Sequence, residues 1–277
     1  MLSSLLWGGS DFLGGTATRR LRAAAVVAGS QAIALVALLV IVTASGRLEH
    51  LLSHPSTLLP GVAAGAIGAA ALAAFYAALA GGTMGVIAPI AALGTLLPVT
   101  VGLARGEAPS ALQLAGMAIA IAGVILASGP ELSGGASARP LVLAACAAVG
   151  FGSVAILLAA GAKGPGVLGT VLTMRATSTT VMVLLGLVLV TRRAPLGLPA
   201  ARDLPLLAVI GLGDAGANAS FALATRHGLL TVVSVLGSLY PVVTVLLARQ
   251  VHAETLTRVQ MWGVVGALGG VALLAAG

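Results

Sequence analysis

Leu96-Leu97-Pro98-Val99-Thr100 and Leu239-Tyr240-Pro241-Val242-Val243 begin the same series of landmarks at two places in the chain. After the first come Glu107, Gln113-Leu114-Ala115-Gly116 and Gly123-Val124. After the second come Glu254, Gln260-Met261-Trp262-Gly263 and Gly270-Val271. The prolines stand 143 positions apart and the Glu, Gln and Gly landmarks 147, a difference of about one helical turn. The chain therefore reads as one unit written twice, hydrophobic through most of its length. A membrane protein made of two related halves can rock one against the other around a site between them, so the repeat points first to transport.

Of the 277 residues, 59% are hydrophobic and 8% charged, and the mean hydropathy is +1.12. A soluble domain carries roughly 25% charged residues. This chain has too few charges to cover itself in water, and a lipid bilayer is its expected partner. Its 38 glycines suit helices that pack by close backbone approach. The alternating ten-residue segments of an outer-membrane barrel are absent. The net charge of +7 comes from arginines set almost singly at the ends of apolar segments, where cations anchor helices to the interface. No basic patch is interleaved with aromatics, which excludes nucleic acid as a partner. Cys146 is alone, and no Cys/His cluster has metal-ligand spacing, so no metal and no other cofactor is expected. The N-terminus has no basic n-region and Asp11 interrupts its apolar stretch, so the first segment reads as a span rather than a cleaved signal peptide.

About 20 apolar residues cross a bilayer. Such segments run near Leu2 to Thr18, Ala23 to Ser45, Leu58 to Ala80, Gly85 to Ala104 and Ser110 to Ser128, then near Pro140 to Gly161, Val167 to Thr191, Leu204 to Thr225, Leu229 to Ala248 and Thr257 to Ala276. They must be helices, because lipid cannot satisfy exposed backbone groups. The expected fold is an all-α integral membrane protein with ten transmembrane helices. Residues 1–128 form the first five-helix repeat, the polar, Gly/Ser-rich stretch 129–139 is a linker, and 140–277 form the second repeat. Five being odd, the second repeat enters the membrane in the opposite sense. A cytoplasmic N-terminus places Arg47, Arg105, Lys163 and Arg226 on cytoplasmic connections. The other orientation places Arg19, Arg20, Arg22, Arg139, Arg192, Arg193, Arg202, Arg249 and Arg258 there, and the positive-inside rule favours that one.

The repeat resembles the drug/metabolite transporter superfamily, in its EamA-type branch of ten-helix bacterial carriers. Leu6-Trp7-Gly8-Gly9-Ser10-Asp11-Phe12 is similar to that family's opening Trp-Gly-Ser-Asn/Asp-Phe motif. Ser238 to Gly270 is similar to its closing pattern of Leu-Tyr-Pro-Val, a Glu before the last helix and Gln-x-x-Gly. Arg175 matches an arginine that the family often places in the second helix of a repeat; Gln31 stands at the equivalent position of the first half. The resemblance covers essentially the whole chain. It implies secondary transport in the bacterial inner membrane with both termini cytoplasmic, opposite to the charge count.

A charge at mid-bilayer costs about 2.5–3.5 kcal/mol on insertion scales, so polar residues inside the spans mark candidate sites. Asp11 follows Trp7 by one turn on the same face. It either carries a proton or a cationic solute against the Trp7 wall, or sits near an interface because its span is short. Asp214 and Asn218 are also one turn apart, in a glycine-rich stretch, and either line a cavity or serve a structural ion pair with Arg175. Arg175 in turn either forks onto a carboxylate or phosphate of an anionic or zwitterionic solute, or stays neutralised by Asp214 and leaves a neutral or cationic one. Trp7, Asp11, Gln31, Arg175, Asp214 and Asn218 are the expected cavity residues, lying on spans one, two, seven and eight. Pro89, Pro98 and Pro241 are expected to kink spans four and nine beside them. Gly61/Gly65 and Gly266/Gly270 read as helix-packing faces, within one chain or between two copies of a homodimer. Glu107 and Glu254 are expected to favour helix N-termini, and the four histidines to be solvated.

Three classes of function remain. A secondary carrier for a small metabolite or drug-like solute, driven by protons or by exchange, needs only the cavity and the repeat. An intramembrane enzyme needs a nucleophile, base or metal set, and no HExxH or Gly-x-Ser-x-Gly motif stands in a suitable place. A non-transporting subunit of a larger assembly needs a partner. No GxxxxGK[ST] loop is present, so this chain does not consume ATP. The carrier is the leading reading.

Overall fold

The computed structural model describes residues 1–48, 55–82, 84–127, 138–163, 166–192, 197, 199–252 and 257–277, without side chains at 55–57, 84–86, 89, 127, 252 and 275. Among these residues the fold is all-helical, with no strand. In chain order the α-helices are α1 (Leu2–Ala17), α2 (Ala23–Ala44), α3 (Pro55–Gly81), α4 (Met84–Ala92), α5 (Leu96–Ala104), α6 (Ala111–Ala127), α7 (Ala138–Gly161), α8 (Val167–Thr191), α9 (Leu204–Ala224), α10 (Leu230–Gly237), α11 (Tyr240–His252) and α12 (Arg258–Ala276).

Two pairs of these helices are single apolar segments with a break inside. A 3-10 turn, Leu93–Thr95, joins α4 to α5, and Ser238-Leu239 joins α10 to α11. Counted by segment there are ten, and their limits agree with those read from hydrophobicity to within a few residues. The break is the main departure. Pro98 and Pro241 do not bend continuous helices; each lies in the first turn after a break, where a missing N–H costs no intrahelical bond. Pro89 lies within α4, and its side chain is outside the described residues. The seventh helix begins at Ala138, so Ala138-Arg139 of the expected linker are helical, with Pro140 in the first turn. The remainder of that linker lies outside the described residues, as do Glu254 and the side chains of His50, His54 and His252. His227 is exposed in the turn after α9.

Among the described residues six segments are long and apolar enough to cross a membrane, by length and composition: Ala23–Ala44, Leu58–Gly81, Ala138–Gly161, Val167–Thr191, Ala201–Ala224 and Leu230–Val251. The others fall short for visible reasons. The first is 16 residues long and carries Asp11, and the apolar stretches described in the fourth, fifth and tenth are Ile90–Ala104, Ala111–Leu126 and Arg258–Leu274.

Packing follows one rule throughout. The first segment packs on the eighth as the sixth packs on the third; the second on the eighth as the seventh on the third; the first on the ninth as the sixth on the fourth. The second and seventh face each other, as do the fourth and ninth and the fifth and tenth. Exchanging segment n for n+5 thus maps these principal contacts onto one another, while the contact of the fifth segment with the ninth has no equal between the tenth and the fourth. Small residues permit these contacts. A Cβ on Gly123 of α6 would come within 2.7 Å of Ala267 Cα and 2.8 Å of Gly263 O on α12, and one on Gly270 within 2.5 Å of Ala120 N on α6. Gly61 and Gly65 of α3 meet the α8 backbone in the same way. These glycines are therefore used inside one chain, and a homodimer draws no support from them.

Glu107 does more than its spacing suggested. Gly106, with φ +86°, closes α5 and turns the chain so that Glu107 accepts from the backbone N–H groups of Leu230 (2.8 Å) and Thr231 (2.9 Å) at the start of α10. It caps a helix of the other half, not the one that follows it. At the opposite end of the bundle Arg20, after α1, pairs at 2.9 Å with the buried Asp203 that precedes α9.

Gly123→Leu drives a side chain into the α12 backbone and is expected to cost about 1–3 kcal/mol, read as a lowered melting temperature of the purified protein in detergent. Gly269→Ala, where an added Cβ meets nothing within 4 Å, is the control and leaves the melting temperature unchanged.

Candidate functional site

Eight of the ten segments surround one cavity of about 840 Å³ of empty space, part of it open to the exterior. Only the fifth and tenth take no part among the described residues. The wall is mostly apolar and aromatic, with Leu72, Phe151, Val154, Leu158 and Phe221 among its members. Trp7, Asp11, Gln31, Arg175, Asp214 and Asn218 all line it. They reach it from α1, α2, α8 and α9, each on a helix whose opposite face is apolar, so burying the helix aims the polar group inward. Segments three and six also contribute, which the sequence did not suggest: their lining residues are glycine, alanine, aliphatic side chains and Phe151, with no polar signal.

Five of these six residues form one hydrogen-bonded network. Asp214 accepts through Oδ1 from Trp7 Nε1 (3.2 Å) and Asn218 Nδ2 (3.0 Å), and through Oδ2 from Gln31 Nε2 (3.1 Å) and Arg175 Nη1 (2.8 Å). Gln31 Oε1 accepts in turn from Arg175 Nη1 and from Ser178 Oγ, the latter at 3.0 Å. Asn218 Nδ2 is held by a further bond, at 2.7 Å, to the Asp214 carbonyl one turn earlier. The Trp7 indole also lies against the Phe221 ring, centroids 5.6 Å apart. Of the two roles open to Asp214, the ion pair with Arg175 is present, and it lines the cavity as well.

Arg175 is 1% exposed and spends only one of its nitrogens on this network. Its Nε and Nη2 are buried without an acceptor. Asp11 stands apart from the network altogether. It is 7% exposed, and it takes no hydrogen bond or ion pair from a described residue. Tyr76, from α3, packs against Gly14 one turn along the same face of α1.

The two breaks border the same cavity. Gly94, Thr95 and Pro98 line it from the fourth segment, and Ser234, Gly237, Ser238 and Tyr240 from the ninth. Pro241 does not line it. The buried Thr95 Oγ1 and Ser234 Oγ have no hydrogen-bond partner. These hydroxyls were not singled out from sequence. The 143-residue offset that pairs Pro98 with Pro241 also pairs Gly94-Thr95 with Gly237-Ser238, and would have found that place in both halves. Among the described residues no His, Cys, Asp and Glu cluster could hold a metal ion.

The chain matches the model of the EamA-like transporter family over residues 138–276. Among solved structures, 27 chains match. One, titled "Crystal structure of protein", is similar with a TM-score of 0.74 over 99% of this chain and 96% of that one at 18% identity, a likeness of fold. No curated protein matches.

Because Arg175 is buried against Asp214, removing the carboxylate leaves the guanidinium uncompensated. Asp214→Leu is expected to lose about 3–5 kcal/mol, and Arg175→Leu with Asp214→Leu together to lose clearly less than the two singles summed. Thermal unfolding of the three purified variants checks this; additive losses would count against coupling of the pair.

Proposed function

The chain belongs to the EamA-like transporter family, part of the drug/metabolite transporter superfamily, and from that premise we propose that it is a ten-span secondary carrier for a small solute. In this reading residues 1–128 and 140–277 are two inverted five-helix repeats joined by 129–139, set in the bacterial inner membrane, and the cavity between them opens alternately to either side. The exchange symmetry of the helix contacts supports two equivalent halves. The cavity's place at the junction of six spans from both halves and two broken helices supports a central site, since broken helices with matched positions in two halves tend to border the binding site of such carriers.

We assign proton coupling to Asp11 rather than Asp214. The observation that carries this is the contrast between the two carboxylates. Asp214 receives four donors, one of them a guanidinium, and is committed to all of them. Asp11 lies on the cavity wall, buried and without a partner, so its two protonation states differ little in protein contacts and a proton can leave or arrive with the conformational change. Trp7, Gln31, Arg175 and Asn218 hold the Asp214 carboxylate and shape the floor of the site. No group in this arrangement is poised as a nucleophile with a base, which supports a carrier over an enzyme.

In proteoliposomes loaded with a pH-sensitive dye, solute addition is expected to move protons through the parent protein. Asp11→Asn is expected to abolish that signal while solute-for-solute counterflow persists. An unchanged dye signal in Asp11→Asn would remove Asp11 from the coupling.

A further inference from the structure

We propose that the cavity binds its solute through a carboxylate, held side-on by the Nε and Nη2 edge of Arg175. The proposal rests on the carrier reading and names the class of solute. A guanidinium offers its donors along distinct edges. In Arg175 the Nη1 donors are committed to Asp214 and Gln31, which fixes the plane of the group and leaves the Nε–Nη2 edge as a preset pair of parallel donors. That edge is buried and has no acceptor, a state that carries a desolvation cost until one arrives. A carboxylate matches it with two oxygens at once, which neither an amine nor an amide does.

The rest of the cavity points the same way. Thr95 Oγ1 and Ser234 Oγ, at the two helix breaks, are further buried hydroxyls without partners. With the two Arg175 nitrogens they make four unpartnered polar atoms, and since a hydroxyl can donate, a solute that carries acceptors satisfies all four. Charge limits it to a single carboxylate. Arg175 and Asp214 cancel, so the empty site carries one negative charge when Asp11 is ionised. A monocarboxylate arriving with a proton for Asp11, or a zwitterion placing its ammonium on Asp11, keeps that charge constant. A phosphate dianion does not. The apolar wall, including Leu72, Phe151, Val154 and Phe221, suits a hydrocarbon body attached to that carboxylate.

The test uses three molecules of one shape: leucine, 4-methylpentanoate, which lacks the ammonium, and 3-methylbutylamine, which lacks the carboxylate. The chain has 2 tryptophans. Trp262 is 71% exposed on α12, remote from the cavity wall, so Trp262→Phe leaves Trp7 as the reporter of binding by fluorescence in purified, detergent-solubilised protein. Leucine, 4-methylpentanoate or both are expected to bind and the amine not to. The comparison of the two carboxylates tells whether the ammonium contributes. Arg175→Lys, which keeps the charge and loses the fork, is expected to weaken binding about tenfold or more. Amine binding equal to or tighter than the carboxylates overturns the proposal, as does the absence of binding by all three at millimolar concentration. A folded Arg175→Lys protein with unchanged affinity overturns it too. If that variant does not fold, as thermal unfolding will show, the ligand comparison in the parent protein decides. Counterflow of the same molecules is read separately. Carboxylate binding without counterflow keeps the site and rejects the carrier, whereas counterflow of the amine keeps the carrier and rejects the carboxylate.

Discussion

One carboxylate set among apolar helices organises this molecule. Asp214 sits largely out of water on the cavity wall, and it draws donors from α1, α2, α8 and its own helix α9. Each donor fixes the rotation of its helix about its axis, because a side chain one turn off would leave both partners unpaired. The apolar residues around it supply contact area but little direction: within a membrane, one aliphatic helix face packs about as well as lipid does. The network provides the register that the hydrophobic surface does not.

Small residues do the complementary work. Where Gly123 and Gly270 bring α6 and α12 together, and Gly61 and Gly65 bring α3 to α8, backbones approach closely enough for dispersion to hold the pair. Space not used there is left at the centre. The breaks at Leu93–Thr95 and Ser238-Leu239 stop the fourth and ninth segments from filling it, and the prolines in the turns that follow make restarting those helices inexpensive.

Much of this was legible in the chain, and the limits have physical causes. Segment limits followed from apolar run length, since lipid demands long uninterrupted apolar helices. Trp7, Asp11, Gln31, Arg175, Asp214 and Asn218 stood out because polar groups are costly in a membrane span, and all six reach one cavity. The sequence could not say which carboxylate would be paired. Asp11 and Asp214 have similar local surroundings, each with a polar or aromatic residue one turn away, and only the tertiary packing brings Arg175 to one and not the other. The repeat offset marks the place of Thr95, but it could not show that its hydroxyl and that of Ser234 lack a partner, because isolated hydroxyls in membrane helices ordinarily bond back to their own helix, as Thr100 and Ser153 do here. Glu107 does serve a helix N-terminus, as expected, but the sequence could not say which, because the helix it caps is remote in the chain.

The two halves are alike in packing and unlike in chemistry. The position held by Arg175 in one half is held by Gln31 in the other, and the structure joins the two directly, with the Gln31 side chain accepting from Arg175 and donating to Asp214. Two arginines facing each other there would repel and would need a second carboxylate; an arginine against a glutamine needs only Asp214. The departure from symmetry thus lets a single ion pair satisfy the centre of a duplicated fold. It also leaves two nitrogens of a cavity-lining guanidinium buried without an acceptor, with Asp11 as the remaining carboxylate that is not tied down. Those two groups are where a symmetric scaffold acquires a preference for what it holds.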